Sequence, residues 1–292
     1  MQAHLFCFGL SYSAAVLGRD LMARGWRVSG TTRSPKRADA LRREGFAVHL
    51  FDRGTPLADV RAALGDARHV LVSTPPDADG DPVLAMHGEY LAPLARDWQW
   101  LGYLSTTGVY GDQGGAWVDE TTALRPTSER ARRRVAAERD WQAFAARCGA
   151  PLHIFRLPGI YGPGRSAIDA LRAGSARRID KPGQVFSRIH VEDLAQALAA
   201  SMARPDPGAV YNICDDEPAP QHAVIAHAAM LLGMAPPPLE PFVDAAKTMP
   251  AMAQSFYAES KRVRNGKMTH ELGVVLRYPS YREGLAALKD AR

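Results

Sequence analysis

Short apolar runs of strand length alternate with helical patterns through the first two-thirds of this chain, and that alternation leaves few folds open. The strand-like runs are 4–8, 27–31, 47–51, 69–73, 100–105 and 152–157. Helical spacing covers 13–24, 36–44, 57–64, 83–98 and 127–148 between them. Strands this apolar are buried on both faces, and strand–helix–strand repeats lay successive strands parallel. The expectation is an α/β protein built on a doubly wound parallel sheet. Gly25, Gly45 and Gly149 each follow a helical pattern, where left-handed dihedrals favour glycine.

After Pro158 the pattern loosens. Residues 159–164 read as a loop, 168–172 as a short helix and 184–189 as a strand. Residues 191–203 read as a helix whose Glu192 and Asp193 suit its positive N-terminal end. Residues 209–213 read as one more strand returning to the sheet. The remainder, 219–292, is rich in proline and fits a small C-terminal lobe at the strand ends, where open α/β sheets bind ligands.

Composition narrows the function classes. The formal charge is +5 over 292 residues, and its densest run, 130–139, contains Glu138 and no interleaved aromatics. A nucleic-acid surface is therefore not expected, whereas anionic small molecules suit such a charge. No apolar run approaches the roughly 18 residues of a membrane helix. The N-terminus shows no basic leader or cleavage site, and Cys7, Cys148 and Cys214 are odd in number and far apart. These features suggest a cytoplasmic protein with reduced thiols. The nine histidines form no His-Glu-x-x-His pattern, so no metal site is expected.

The first turn, Gly9-Leu10-Ser11-Tyr12-Ser13-Ala14, follows the first strand and opens the first helix. That is the context of a dinucleotide phosphate turn, and it makes the expected sheet Rossmann-type. Gly9 supplies the tight turn and Ala14 the close helix–strand approach. Ser11, standing where a second glycine is usual, pushes the pyrophosphate outward, toward the N–H groups of Tyr12 and Ser13. The second strand ends Thr31-Thr32-Arg33-Ser34, followed by Lys36 and Arg37. An NAD site usually offers a carboxylate there, whereas hydroxyls and guanidinium groups suit the 2′-phosphate of NADP. NADP is thus the expected cofactor, with NAD the alternative. Residues 1–158, with 185–213, are expected to form this nucleotide domain. The substrate lobe would be 159–184 and 214–292.

Further along, Leu104-Ser-Thr-Thr-Gly-Val-Tyr-Gly-Asp112 precedes a helix ending its second turn in Ala136-Ala-Glu138. With Arg156-Leu-Pro-Gly-Ile-Tyr-Gly-Pro-Gly164, Arg188-Ile-His-Val-Glu-Asp-Leu-Ala195 and Tyr211-Asn-Ile-Cys-Asp-Asp-Glu-Pro218, these stretches resemble the extended short-chain dehydrogenase/reductases. The whole set is most similar to the atypical members of the NAD-dependent epimerase/dehydratase type. The resemblance implies that Asp52 contacts adenine and that Ser73, Thr74 and Pro75 line the ribose. It implies that Thr106 holds a substrate oxygen, and it suggests a homodimer through helices 83–98 and 127–148.

The family also places a Tyr eight residues before Glu138 and a Lys four before it. Here those positions hold Arg130 and Arg134. A guanidinium cannot exchange a proton near neutral pH, but it can replace lysine as a fixed cation. Residues 130, 134, 137, 141, 144 and 148 form one helical stripe, so both arginines are expected to point inward. Tyr110 and Tyr161 are the remaining phenols for proton transfer, although ring packing or loop anchoring is the more natural role for each. Thr107 and Gly108 replace the acid and base of the sugar dehydratases, and Phe186 replaces an epimerase arginine, with Arg188 two positions off. Two readings follow: an atypical reductase or epimerase acting on a polar, sugar-like or anionic carbonyl metabolite, or a catalytically silent NADP(H) sensor.

Overall fold

A computed structural model describes residues 2–290 and divides the chain into two compact units. The first comprises Met1–Thr106, Arg130–Arg156 and Ala195–Tyr211, and the second comprises Thr107–Glu129, Leu157–Leu194 and Asn212–Arg292.

Seven strands form the sheet of the first unit: β1 His4–Phe8, β2 Arg27–Thr32, β3 Ala47–Leu50, β4 His69–Val72, β5 Trp100–Thr106, β6 Leu152–Leu157 and β7 Val210–Asn212. Their order is β7-β6-β5-β4-β1-β2-β3. β1 pairs in parallel with β2 and β4, and β4 with β5, with Phe6 beside Ser29 and Val70, and Val72 beside Tyr103. The order reverses between β1 and β4, so the chain leaves the sheet in opposite directions there and opens a crevice at the strand ends. The flanking helices are α1 Tyr12–Ala23, α2 Pro35–Arg43, α3 Val60–Leu64, α4 Pro82–Ala95 and α5 Glu129–Cys148. One face of the sheet buries Phe6, Phe8, Val70, Val72, Leu101 and Tyr103 against Val83, Leu91, Trp141 and Phe144 of α4 and α5. Gly25, Gly45 and Gly149 have positive φ.

Several helix bounds differ from the sequence expectation for local reasons. The helix expected at 57–64 begins at Val60, because the Asp59 carboxylate caps Ala62 N–H at 2.9 Å. The helix expected from 127 begins at Glu129. The strand expected at 184–189 is instead Arg188–His190, since a turn from Lys181 to Gln184 and a bridge from Phe186 to Ala219 occupy the residues before it.

In the second unit, strand Gly159–Tyr161 pairs in parallel with Arg188–His190. Helices Ala167–Arg172, Gln221–Leu231 and Tyr281–Lys289 pack around Tyr161, Ile168, Val224, Tyr281 and Leu285. No helix among the described residues is long and apolar enough to cross a membrane.

Candidate active site

Gly9 makes the turn out of β1 with φ +91°, a region costly for residues with a Cβ. Its N–H donates to Thr31 Oγ1 at 2.8 Å, and its carbonyl accepts from Ser73 Oγ at 2.7 Å. The turn is thus tied to the ends of β2 and β4. A Cβ built on Gly9 would lie 2.9 Å from Ser73 Oγ and 3.1 Å from Thr74 Oγ1. Ser11 is the N-cap of α1, its hydroxyl accepting from Ala14 N–H and lying 2.9 Å from Ser73 Oγ. That hydroxyl therefore occupies part of the helix's N-terminal donor field. Ser13 and Ala14 are buried, Tyr12 is half-buried, and Ser73 and Thr74 are half-buried beside the turn, with Pro75 exposed.

At the end of β2, Thr32 is half-buried while Arg33, Ser34, Lys36 and Arg37 are exposed. Ser34 caps α2. Arg37 Nε donates to the Leu10 carbonyl at 3.1 Å, which brings its guanidinium to the turn between β1 and α1. The structure thus gathers Gly9, Ser11, Thr31, Ser73, Thr74 and Arg37 at one corner of the sheet. Asp52 stands after β3, where its Oδ1 accepts from Thr55 N–H at 2.8 Å and closes a tight turn.

Thr106 ends β5 and is half-buried. On α5 the inward stripe holds for Arg134, Ala137, Trp141, Phe144 and Cys148, all buried, but not for Arg130, which is exposed. The angular spacing of Arg130 is right; packing, however, begins only with Ala131 and Arg134, one turn into the unit. Arg134, 9% exposed, donates from Nη1 to the Leu104 carbonyl at 2.6 Å and to Tyr103 Oη at 3.2 Å. No carboxylate pairs with it among the described residues. A buried guanidinium without a counter-ion is costly, and an anionic or hydroxyl-rich ligand would offset that cost.

Below Arg134 lies a polar layer that the helical stripe alone does not announce. Glu138 accepts from Ser105 Oγ at 2.5 Å and pairs with Arg156, whose Nη2 lies 2.9 Å away, all three being buried. Asp81 caps α4 and accepts from Trp141 Nε1 at 3.0 Å. Burial raises the Asp81 carboxyl and the Tyr103 phenol above their usual ranges. The signals for this layer were a tyrosine inside an otherwise apolar central strand and an Asp-Pro pair opening a helix.

Tyr110 belongs to the second unit, where its ring is fully buried and its hydroxyl donates to Asn212 Oδ1 at 2.8 Å. Tyr161, also buried, donates to the Ser280 carbonyl at 3.3 Å. Phenols held in this way are poorly placed to exchange a proton with a ligand. Tyr110→Phe should therefore cost about 1–2 kcal/mol of stability, the value of one buried hydrogen bond and the orphaned Asn212. A thermal melt of the variant, with cofactor affinity measured alongside and expected unchanged, checks this.

Residues 89–214 match the NAD dependent epimerase/dehydratase family. A conserved protein of unknown function from Silicibacter pomeroyi DSS is 54% identical, with a TM-score of 0.89 over 99% of this chain and 98% of its own. Protein YeeZ of Escherichia coli K12 is 28% identical over 93% of this chain and 94% of its own length. The fold is also shared with UDP-glucuronic acid 4-epimerase from Bacillus cereus, solved in complex with NAD. That chain is 18% identical, with a TM-score of 0.76 over 98% of this chain and 96% of its own.

Proposed function

We infer that this chain is an NADP(H)-dependent reductase or epimerase of the extended short-chain dehydrogenase/reductase type, acting on a polar carbonyl metabolite; the match of residues 89–214 to the epimerase/dehydratase family supports the reading. The observation that carries this reading is the buried, unpaired Arg134 in the position of the family's lysine, on the same unit as the phosphate turn.

The residues at the turn fit a dinucleotide. Gly9 makes a turn of positive φ that packs directly on Ser73 and Thr74, and the N-terminus of α1 favours phosphate. Arg33 and Arg37, with no carboxylate at the end of β2, favour a 2′-phosphate over a free ribose hydroxyl. A nicotinamide cofactor held there by Gly9, Ser11 and Arg37 would supply the hydride chemistry. Thr106 would hold the substrate oxygen by a hydrogen bond, and Arg134 would hold ribose hydroxyls or stabilise negative charge developing on that oxygen. Substrate recognition is assigned to the second unit. Arg130 stays protonated and serves no acid–base role; the proton comes from water or from the substrate.

Replacing Arg33 and Arg37 together by alanine should weaken NADPH binding about tenfold or more, on the scale of one charge-assisted phosphate contact. NADH binding should change little. Fluorescence titration of both cofactors tests the preference, and equal weakening of the two contradicts it. Turnover of a carbonyl panel should fall about 10²-fold in Thr106→Val if that hydroxyl supports the transition state. A second reading, a silent NADP(H)-responsive protein, is favoured by one observation: the hydroxyls of Tyr103, Tyr110 and Tyr161 are all hydrogen-bonded inside the protein. Tight NADPH binding with no turnover on any substrate would select it.

A further inference from the structure

We propose that a cavity within the second unit binds a small organic carboxylate, with the Arg188 guanidinium as its anchor. The proposal deepens the enzymatic reading by naming its substrate class, and it rests on that reading only for the identification of this acid as substrate.

The cavity measures about 550 Å³ and is walled by Tyr161, Ala170, Val224, Tyr281 and Leu285, with Arg188 in its lining. Its volume is that of a small-molecule pocket, and its wall is largely apolar. Arg188 leaves the strand Arg188–His190 opposite Gly159. Its Nη1 is fixed by two backbone carbonyls, Phe186 at 2.7 Å and Ala219 at 2.9 Å. Nε and Nη2 make no hydrogen bond, and no acid forms an ion pair with the group, among the described residues. The guanidinium is thus oriented, with donors left for a ligand.

Asp215 adjoins it, donating its N–H to the Arg188 carbonyl at 2.7 Å. The Asp215 side chain is 1% exposed, and neither carboxylate oxygen has a hydrogen-bond partner. Burial pushes this carboxyl up to about 8, so near neutral pH it is mainly the uncharged acid. It therefore compensates the Arg188 charge only in part and, in its uncharged form, can itself donate a hydrogen bond. A ligand carboxylate would satisfy the guanidinium by two parallel bonds, the geometry that arginine recognises best. The apolar wall suits a hydrocarbon or aromatic body. A neutral sugar would leave the cation unmatched.

The test is calorimetric titration of the full chain with trans-cinnamate, 4-hydroxybenzoate and hexanoate, against cinnamamide and phenyl phosphate. At least one acid should bind one-to-one, and cinnamate at least tenfold more tightly than its amide. Arg188→Gln should weaken the acid at least tenfold. Ala170→Phe, which fills the cavity while keeping the arginine, should remove acid and amide binding alike. NADPH affinity should be unchanged in both variants. If Arg188→Gln does not fold, Ala170→Phe still decides. Failure of all three acids, equal affinity for cinnamate and cinnamamide, tighter binding of phenyl phosphate, or acid binding that survives Ala170→Phe would each overturn the proposal. NADPH binding without acid binding defeats this inference alone; acid binding without NADPH binding defeats the enzymatic reading alone.

Discussion

Glu138→Leu should lower stability by about 3–5 kcal/mol, because it removes the carboxylate that pairs with the buried Arg156 guanidinium. At roughly 2–4 °C per kcal/mol for a domain of this size, the melting temperature should fall by about 6–20 °C. The pair is not costly to replace as a unit. Buried ion pairs exchanged for apolar residues of similar volume are often neutral. The double variant Glu138→Leu, Arg156→Met should therefore recover most of the loss, less what Ser105 forfeits by losing its acceptor. A melt series on the single and double variants decides this. A single variant within a degree or two of the parent would show that the Ser105–Glu138–Arg156 layer does not hold β5, β6 and α5 together. Should the layer loosen, Thr106 and Arg134 lose their placement, since each sits within one turn or one residue of it.

Gly9→Ala should weaken NADPH binding about tenfold or more, with a stability loss of up to about 1–3 kcal/mol. The added methyl meets Ser73 Oγ at 2.9 Å and a backbone angle of +91°, and both act on the turn between β1 and α1 that we propose for the phosphates. Strain of this kind amounts to about 1–3 kcal/mol at one residue. Relief by backbone movement would carry the Leu10 and Ser11 positions away from the phosphate geometry. Fluorescence titration of NADPH checks the prediction. An affinity within threefold of the parent would mean that the turn does not cradle the pyrophosphate.

The sheet was legible because two periodicities agreed with the punctuation: apolar strands, amphipathic helices, and glycines at the helix ends. Asp59 and the Lys181–Gln184 turn were not legible in the same way, because a cap or a turn competes locally with a pattern spread over eight residues. At the site, spacing correctly turned Arg134 inward, yet the same spacing also turned Arg130 inward. Angle along a helix fixes the face; how far the neighbouring layer extends decides burial, and that is a tertiary quantity. The partners of Glu138 lie 33 residues before it and 18 after it, so no local pattern could pair them. Asp215 reads in sequence as one of three consecutive acids; only folding isolates its carboxyl beside Arg188. Asp52 shows the opposite limit, since a family position read for adenine contact also closes a local turn with Thr55.

We propose that this chain binds NADP(H) and uses Arg134 at the position where the family resemblance places a lysine. This is tested most directly by titrating NADPH into the parent protein and into Arg134→Met, a substitution that keeps the stem and removes the cation. The account predicts a one-to-one complex with the parent, tighter for NADPH than for NADH, and at least tenfold weaker in the variant despite a retained fold. No saturable binding of either cofactor to the parent, or equal affinity in parent and variant, would contradict it.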